Sequence, residues 1–309
     1  MTIEANHKTG LYKLLIILQC LIWGVGNPIT TYVYISMTPF CYMAVRFMSA
    51  FLLFCLLFWK QIRADLQWTK IKNCTVIGLF MAATYIFANL ALAQAMVTVA
   101  GFLMGISVVF TALFSVIFLK GKMSLRLAGI LAVVLVGMYL LCGGGSGNFA
   151  FGLGEFYALM SSVCMAVTLM MSAKYIKEVS PFTLSAIQCG VCGIANILFG
   201  LIFEDFSCIL HAEPVSWAAM LYLVLGCTVA TFIMQNVSIN HLSPIFVSLA
   251  FCTEPLFTAI ASFLMIGDRI SLTGWIGCAL ITLGVAAASI LNLHEDAPPS
   301  NPLPEDRIY

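Results

Sequence analysis

Glu254 and Pro255 stand side by side in the middle of a mostly apolar stretch, residues 246–265. About 20 such residues, at ~1.5 Å each, are enough to cross the hydrocarbon core of a bilayer. Both residues are costly at that depth. A carboxylate there must be solvated, paired or protonated, and proline removes a backbone donor. A chain that keeps both needs a wet or well-packed interior at this point. Glu254 is therefore a candidate to bind a substrate ammonium or to carry a coupling proton; the alternative is a buried, neutral hydrogen-bond donor beside a kink. Gln19, Trp23 and Asn27, with Thr30 and Thr31, recur at helical spacing and share one face of the first apolar run. Gly24, Gly26 and Pro28 interrupt that run, as in broken membrane helices beside substrate cavities; small residues also permit close helix approach. Arg46, about two turns inside the second run, needs a partner, a carbonyl cluster or a snorkelling route, and reads as an anchor or a substrate contact. Tyr85, Asn89, Ser107, Ser162, Thr231 and Gln235 complete the polar set inside apolar runs. Amides and hydroxyls can hydrogen-bond a polar solute as it loses water, and Trp23 and Tyr85 can stack on a flat or cationic group.

Other chemistries find little support. The four histidines, His7, His211, His241 and His294, fall in tails, loops or span ends, and no carboxylate pair is buried within one run. An intramembrane hydrolase needs a nucleophile with a base, a metal site or paired carboxylates. No catalytic residue, metal site or cofactor is expected, and the chain is read as not an enzyme. A pore would favour rings of charge or carbonyls. An intramembrane enzyme and a channel or scaffold remain the rival classes. Of the twelve cysteines, Cys20, Cys55, Cys164, Cys189, Cys192, Cys227, Cys252 and Cys278 lie in apolar runs and read as small hydrophobes, not as a disulfide framework. Cys189-Gly-Val-Cys192 has redox spacing without the soluble context that would support it, and reads as helix packing. The run Gly143-Gly-Gly-Ser-Gly147-Asn148 reads as a flexible linker, with no P-loop lysine beside it.

The elements that must position these residues follow from composition. Hydrophobic residues make up 62% of 309 and charged ones 9%, and the mean hydropathy is +1.04. Soluble domains carry about 25% charged residues, so this is an all-α polytopic membrane protein with no sizeable soluble domain. The net charge of +1 suggests no nucleic-acid partner. The first run is long, lacks a small-residue cleavage site and reads as a retained helix. Ten spans are expected, at about 14–34, 38–59, 74–95, 100–119, 127–142, 153–173, 180–203, 218–239, 246–265 and 272–291. With the N-terminus inside, alternate loops hold Lys60, Arg63, Lys70, Lys72, Lys120, Lys122, Arg126, Lys174 and Lys177, while the opposite loops hold only Arg269. The positive-inside rule then puts both termini in the cytoplasm. For a bacterial source, the location is the plasma membrane.

The chain also repeats itself. An offset of 147 aligns Phe110-Thr111-Ala112 with Phe257-Thr258-Ala259, Ser124-Leu125 with Ser271-Leu272, Gly137 with Gly284, Thr84 with Thr231 and Asn89 with Asn236. A slightly smaller offset aligns Pro39-Phe40 with Pro181-Phe182. Each half then holds five spans, and an odd number turns the second half upside down. The expected organisation is a first five-helix repeat at 14–142, a linker at 143–151, a second repeat at 152–292 and a disordered tail at 293–309. Inverted repeats are the architecture of secondary transporters, with the substrate site near the midplane between the halves.

Trp23-Gly24 with Pro39 and Arg46, then Glu254-Pro255-Leu-Phe, Gly267-Asp268-Arg269-Ile, Gly277 and Gly284, resemble the EamA-type repeat of the drug/metabolite transporter superfamily over residues 14–292. The first half departs from the pattern: Ser107-Val108 stands where the second has Glu254-Pro255, so Glu254 lacks a symmetry mate. Gly121-Lys122 replaces the acidic turn, and Asp268 stands where Glu is usual. The resemblance implies two inverted five-helix repeats and a cavity lined by spans one, three, four, six, eight and nine. It implies alternating-access transport, often outward, of a small organic solute of amino-acid-like, nucleoside-like or toxic character. Its substrate-binding candidates here are Gln19, Trp23, Asn27, Tyr85, Asn89, Ser107, Ser162, Thr231, Gln235 and Glu254. Gly24, Pro28, Arg46 and Pro255 are structural or gating candidates. The expected partners are the solute, membrane lipid and a coupling proton.

Overall fold

The computed structural model describes residues 2–95, 97–119, 124–142, 151–267, 269 and 271–291. The glycine-rich linker, the tail, Asp268, Lys120 and Gly121-Lys122 lie outside the described residues. The described chain is helical: α1 (Thr2–Val33), α2 (Pro39–Leu57), α3 (Trp59–Ala64), α4 (Trp68–Gln94), α5 (Val97–Gly105), α6 (Ser107–Leu119), α7 (Leu125–Leu141), α8 (Leu153–Tyr175), α9 (Pro181–Phe203), α10 (Pro214–Val224), α11 (Thr231–Ile239), α12 (Pro244–Phe251), α13 (Glu254–Ile266) and α14 (Leu272–Ile290). Among the described residues, nine helices or helix pairs are long and apolar enough to cross a membrane; Leu125–Leu141 is apolar but shorter.

Local sequence accounts for most helix starts. Thr38-Pro39, Ser180-Pro181, Glu213-Pro214 and Ser243-Pro244 each put proline at the first helical position, where its missing N–H costs nothing. The Ser180, Ser243, Ser124 and Ser271 hydroxyls accept from Thr183 N, Phe246 N, Leu127 N and Gly274 N, satisfying one orphan donor each. Ser124 and Ser271 are the pair that the offset of 147 aligns.

Two expectations about interruptions are corrected. Gly24, Gly26 and Pro28 do not break the first span: α1 runs continuously to Val33 with Pro28 inside it. The stretch around Glu254 is not one kinked helix. It stops at Phe251, turns through Cys252-Thr253 and restarts at Glu254, with Pro255 in the new first turn. The fourth span is broken too, at Ile106, between α5 and α6. Several bounds also move. Helix α4 starts at Trp68, within the stretch expected between the second and third spans; α10 starts at Pro214, before the expected start of its span at 218; and α3 forms between the second and third expected spans.

Helix α2 packs along α9, α4 along α8 and α9, and α7 along α14, while α1 lies against α10–α11 and α12–α13. Glycines allow the closest approaches. A Cβ on Gly137 would sit 2.9 Å from the Gly277 carbonyl oxygen, and one on Gly24 would sit 2.5 Å from Phe257 Cβ. The interior holds Tyr42, Phe47, Phe54 and Phe232, while leucines such as Leu56, Leu264 and Leu283 face outward. Trp59, Trp68, Trp217 and Trp275 are exposed near helix ends, as in an aromatic belt. Trp23 is the one buried tryptophan.

Two acids tie helix ends together. Asp65 accepts from Ser180 N (2.7 Å) and Thr183 Oγ1 (2.9 Å) at the start of α9, and from Lys70 Nζ (3.3 Å). Glu204, just after α9, accepts from Phe40 N (3.1 Å) and Cys41 N (2.9 Å) at the start of α2. Each carboxylate meets the positive end of a helix dipole. Next to Glu204, the Ser207 N–H and hydroxyl hold the exposed Asp205 carboxyl below the usual carboxylate range.

Candidate functional site

The polar face of α1 supplies three successive links. Gln19 Nε2 donates to Gln235 Oε1 (3.0 Å) on α11, with both side chains buried. One turn on, Trp23 Nε1 donates to the Cys227 carbonyl (2.9 Å) and to Thr231 Oγ1 (3.0 Å). One further turn on, Asn27 Nδ2 donates to Glu254 Oε1 (3.1 Å) and Thr258 Oγ1 (2.8 Å) on α13. Exposure rises along this face: Gln19 is fully buried, Asn27 is exposed and Glu254 is half-buried. Six of the ten candidates, Gln19, Trp23, Asn27, Thr231, Gln235 and Glu254, therefore meet in one ladder between α1, the α10–α11 segment and α13.

The other four lie on the far flank. Tyr85 stacks obliquely on Phe47, with ring centroids 4.9 Å apart. Asn89, one turn beyond, is half-buried, and its Nδ2 has no partner among the described residues. Ser162 donates to the Leu103 carbonyl (2.5 Å) and the Ala158 carbonyl (3.0 Å). The Ser107 carbonyl accepts from Thr111 Oγ1 (2.8 Å). These two serines sit at the break in the fourth span, and their hydrogen bonds stay there.

The two breaks share their chemistry. Leu103 and Ala250, the carbonyl residues just before them, are related by the offset of 147. Ser162 of α8 donates to the first, and Cys20 of α1 donates to the second at 3.4 Å. Cys20 and Ser162 are related by the smaller offset of 142, which also relates Pro39 to Pro181. After each break a threonine hydroxyl bonds back one turn, Thr111 to Ser107 and Thr258 to Glu254 (3.1 Å). The second break alone carries an acid.

Arg46 is buried, and its guanidinium makes three hydrogen bonds. Nε reaches Thr228 Oγ1 (2.6 Å), Nη1 the Tyr42 hydroxyl (2.7 Å) and Nη2 the Cys227 carbonyl (2.8 Å). Two of the acceptors, the Thr228 hydroxyl and the Cys227 carbonyl, lie in the π-helical turn Leu225–Ala230, in which the Thr228 hydroxyl also donates to the Leu223 carbonyl (2.9 Å). Single π-turns loosen the helix ladder and free carbonyls for side chains. Trp23 and Arg46 thus converge on one oxygen, that of Cys227. Placing a charge at bilayer depth costs roughly 2.5–3.5 kcal/mol on insertion scales. Hydrogen bonds to a charged group return about 1.5–3 kcal/mol each. Three of them suffice to hold Arg46 in place.

Sequence reasoning overlooked three parts of this site: the π-turn, Thr258 as a partner of Asn27, and the buried cluster in which Asn236 Nδ2 donates to Ser185 Oγ and Gln188 Oε1, both at 2.9 Å. The first has no residue signature beyond Gly226. The second was already visible in the repeat as the mate of Thr111. A cavity of about 400 Å³ lies behind the second break, between α1, α13 and α14, with Thr253 and Phe257 on its walls and Lys13 and Ser289 among its lining. None of the ten candidates lines it.

An all-helical bundle with an acid at a broken, apolar span is a polytopic membrane protein of the transporter class. Comparison with known proteins agrees. The EamA-like transporter family matches residues 11–143 and again 152–290, and the chain belongs to that family. It is 28% identical over 287 residues to an uncharacterized transporter of Archaeoglobus fulgidus, covering 91% of this chain and 96% of that one. It is 24% identical over 192 residues to the uncharacterized transporter YyaM of Bacillus subtilis, covering 60% and 62%. A crystal structure shares the fold with a TM-score of 0.77 at 20% identity, over 93% of this chain and 99% of that one.

Proposed function

We propose that this chain is a ten-span secondary carrier built from two inverted five-helix repeats. It moves a small organic solute, of amino-acid-like, nucleoside-like or toxic character, by alternating access, in the outward direction. The observation that carries this reading is the pair of broken spans, at Ile106 and at Cys252-Thr253, each with its loosened carbonyl taken up by a side chain of the opposite neighbour. Discontinuous helices at equivalent places in two halves are the mark of a binding site between them. The reciprocal capping by Asp65 and Glu204 supports the same symmetry. Counting Leu125–Leu141 as the tenth span is supported by Gly137 and Gly284, which lie on facing helices.

In this reading Glu254 binds a substrate ammonium or carries the coupling proton, with Asn27 and Thr258 orienting it. Trp23, Tyr85, Asn89, Thr231 and Gln235 line the path, and Ser107 and Ser162 serve the facing wall. Arg46 and Pro255 set the local framework, and Gly24 and Pro28 shape α1. The Gln19–Gln235 pair is the closed gate, and the Asn27–Glu254 level is open. Buried amide atoms left without partners at Gln19 Oε1 and Gln235 Nε2 support a closure that opens at modest cost. With the termini in the cytoplasm of a bacterial inner membrane, the open end faces outward. Glu254→Gln, in vesicles reconstituted with the chain and screened against a panel of small metabolites, tests the central role. Flux driven by a pH gradient disappears while solute counterflow persists if Glu254 carries the proton. Unaltered pH dependence would remove that role.

A further inference from the structure

Cys41 and Cys208 are 167 residues apart, yet their sulfurs lie 3.1 Å from one another. Cys41 is fully buried in the first turn of α2. Cys208 is half-buried in the short 3-10 turn Phe206–Ile209 that joins α9 to α10. The surroundings hold both residues in register. Glu204 binds the Phe40 and Cys41 amides, and Phe206 rests on Gly200 beside Phe40. Ser36 Oγ donates to Ser216 Oγ (2.7 Å) and accepts from Glu213 N (3.3 Å), fastening the neighbouring loop to the start of α10. A disulfide bond is about 2.05 Å long, so the sulfurs have roughly an ångström left to close.

We infer that Cys41 and Cys208 are a disulfide-forming pair that staples the first half of the chain to the second at the end where α1 finishes. The cross-link needs a disulfide donor, RSSR, such as a thiol–disulfide exchange protein or oxidised glutathione. The Cys208 thiolate attacks one donor sulfur, forming a mixed disulfide and releasing RS⁻. The Cys41 thiolate then displaces the second RS⁻ and forms the Cys41–Cys208 bond. Two electrons pass from the protein to the donor, and the two thiol protons end on two RSH. The half-buried Cys208 meets the donor and the buried Cys41 resolves it. In cells the bond rests on the outward orientation proposed above, because disulfide donors persist outside the cytoplasm. Bond formation in purified protein does not depend on that orientation.

The test uses the full-length chain in detergent, oxidised with glutathione disulfide or left reduced, then alkylated, digested and mapped by mass spectrometry. The expected result is a peptide joining Cys41 to Cys208, about 2 Da lighter than the sum of its parts, which dithiothreitol dissolves. The oxidised chain melts at a higher temperature than the reduced chain, since the bond closes a long loop in the unfolded state. Cys208→Ser, on the more exposed partner, and Cys41→Ser each abolish the peptide and the temperature difference. Complete alkylation of both thiols after oxidation overturns the proposal, as does a cross-link dominated by other cysteines. Alkylating intact cells before lysis separates the two claims. A pair that oxidises when purified but is reduced in cells overturns the cellular staple and counts against the orientation, leaving the geometry standing.

Discussion

Arg46 carries a full charge into a low-dielectric interior, and its worth lies in its fork. Its three acceptors sit on two helices, the Tyr42 hydroxyl on α2 and the Thr228 hydroxyl and Cys227 carbonyl on the π-turn. A lysine has one ammonium at the end of a flexible stem and cannot reach all three. Arg46→Lys is expected to lower the unfolding free energy by about 2–3 kcal/mol, the loss of one or two charged hydrogen bonds, read as a lower thermal midpoint in detergent. Trp23→Phe keeps one aromatic ring but removes the five-membered ring with its N–H, which binds Cys227 O and Thr231 Oγ1, and leaves space at a buried site. The expected effect is about 2–3 kcal/mol in stability, the lost hydrogen bonds and the cavity together, with a larger loss in transport. A stability loss without a change in transport would leave Trp23 as structure alone.

Helix ends and helix contacts carry the next set of expectations. Gly24 and Gly277 are sites where a backbone presses directly on a neighbour. Gly277→Ala forces α14 away from the Gly137 carbonyl and should cost roughly 1–3 kcal/mol, the usual penalty of overpacking. Gly101→Ala, in open space on α5, is the control and should be near neutral. Pro255→Ala restores a backbone N–H and lets α12 and α13 join more easily; turnover is expected to fall while the protein still folds. The helices themselves were legible in the sequence, because length and apolarity suffice, and Ser-Pro and Thr-Pro steps mark several starts. The breaks were harder to see. Pro255 reads as an interruption of one helix when it is the opening of another, and Gly24, Gly26 and Pro28 read as a break in a helix that runs through. The π-turn at Leu225–Ala230 arises from tertiary demand, the need of Arg46 and Trp23 for a free carbonyl, and no local pattern announces it. Likewise the Asn27–Glu254 contact could be foreseen only as two polar residues on two spans, since its partners are 227 residues apart.

For the molecule as a whole, exposure along α1 and the loop charges make the orientation testable. Single cysteines replacing Lys72 and Lys177 should react with an impermeant maleimide only from the cytoplasmic side, and one replacing Arg269 only from outside. Reaction of the first two from opposite faces would break the two-repeat arrangement. Asp65→Ala and Glu204→Ala should each lower stability by about 1–2 kcal/mol, and their effects should add, because they cap different helices and share no partner. Those two carboxylates also bear on biogenesis. The group that completes α2 is made only after the ribosome has passed residue 204, so a nascent chain released earlier presents that helix with bare amide groups. Helix α2 would thus wait in the lipid, unfinished, until Glu204 is made, and the two parts of the chain, severed in the linker and expressed from separate messages, should be degraded alone and rescued together.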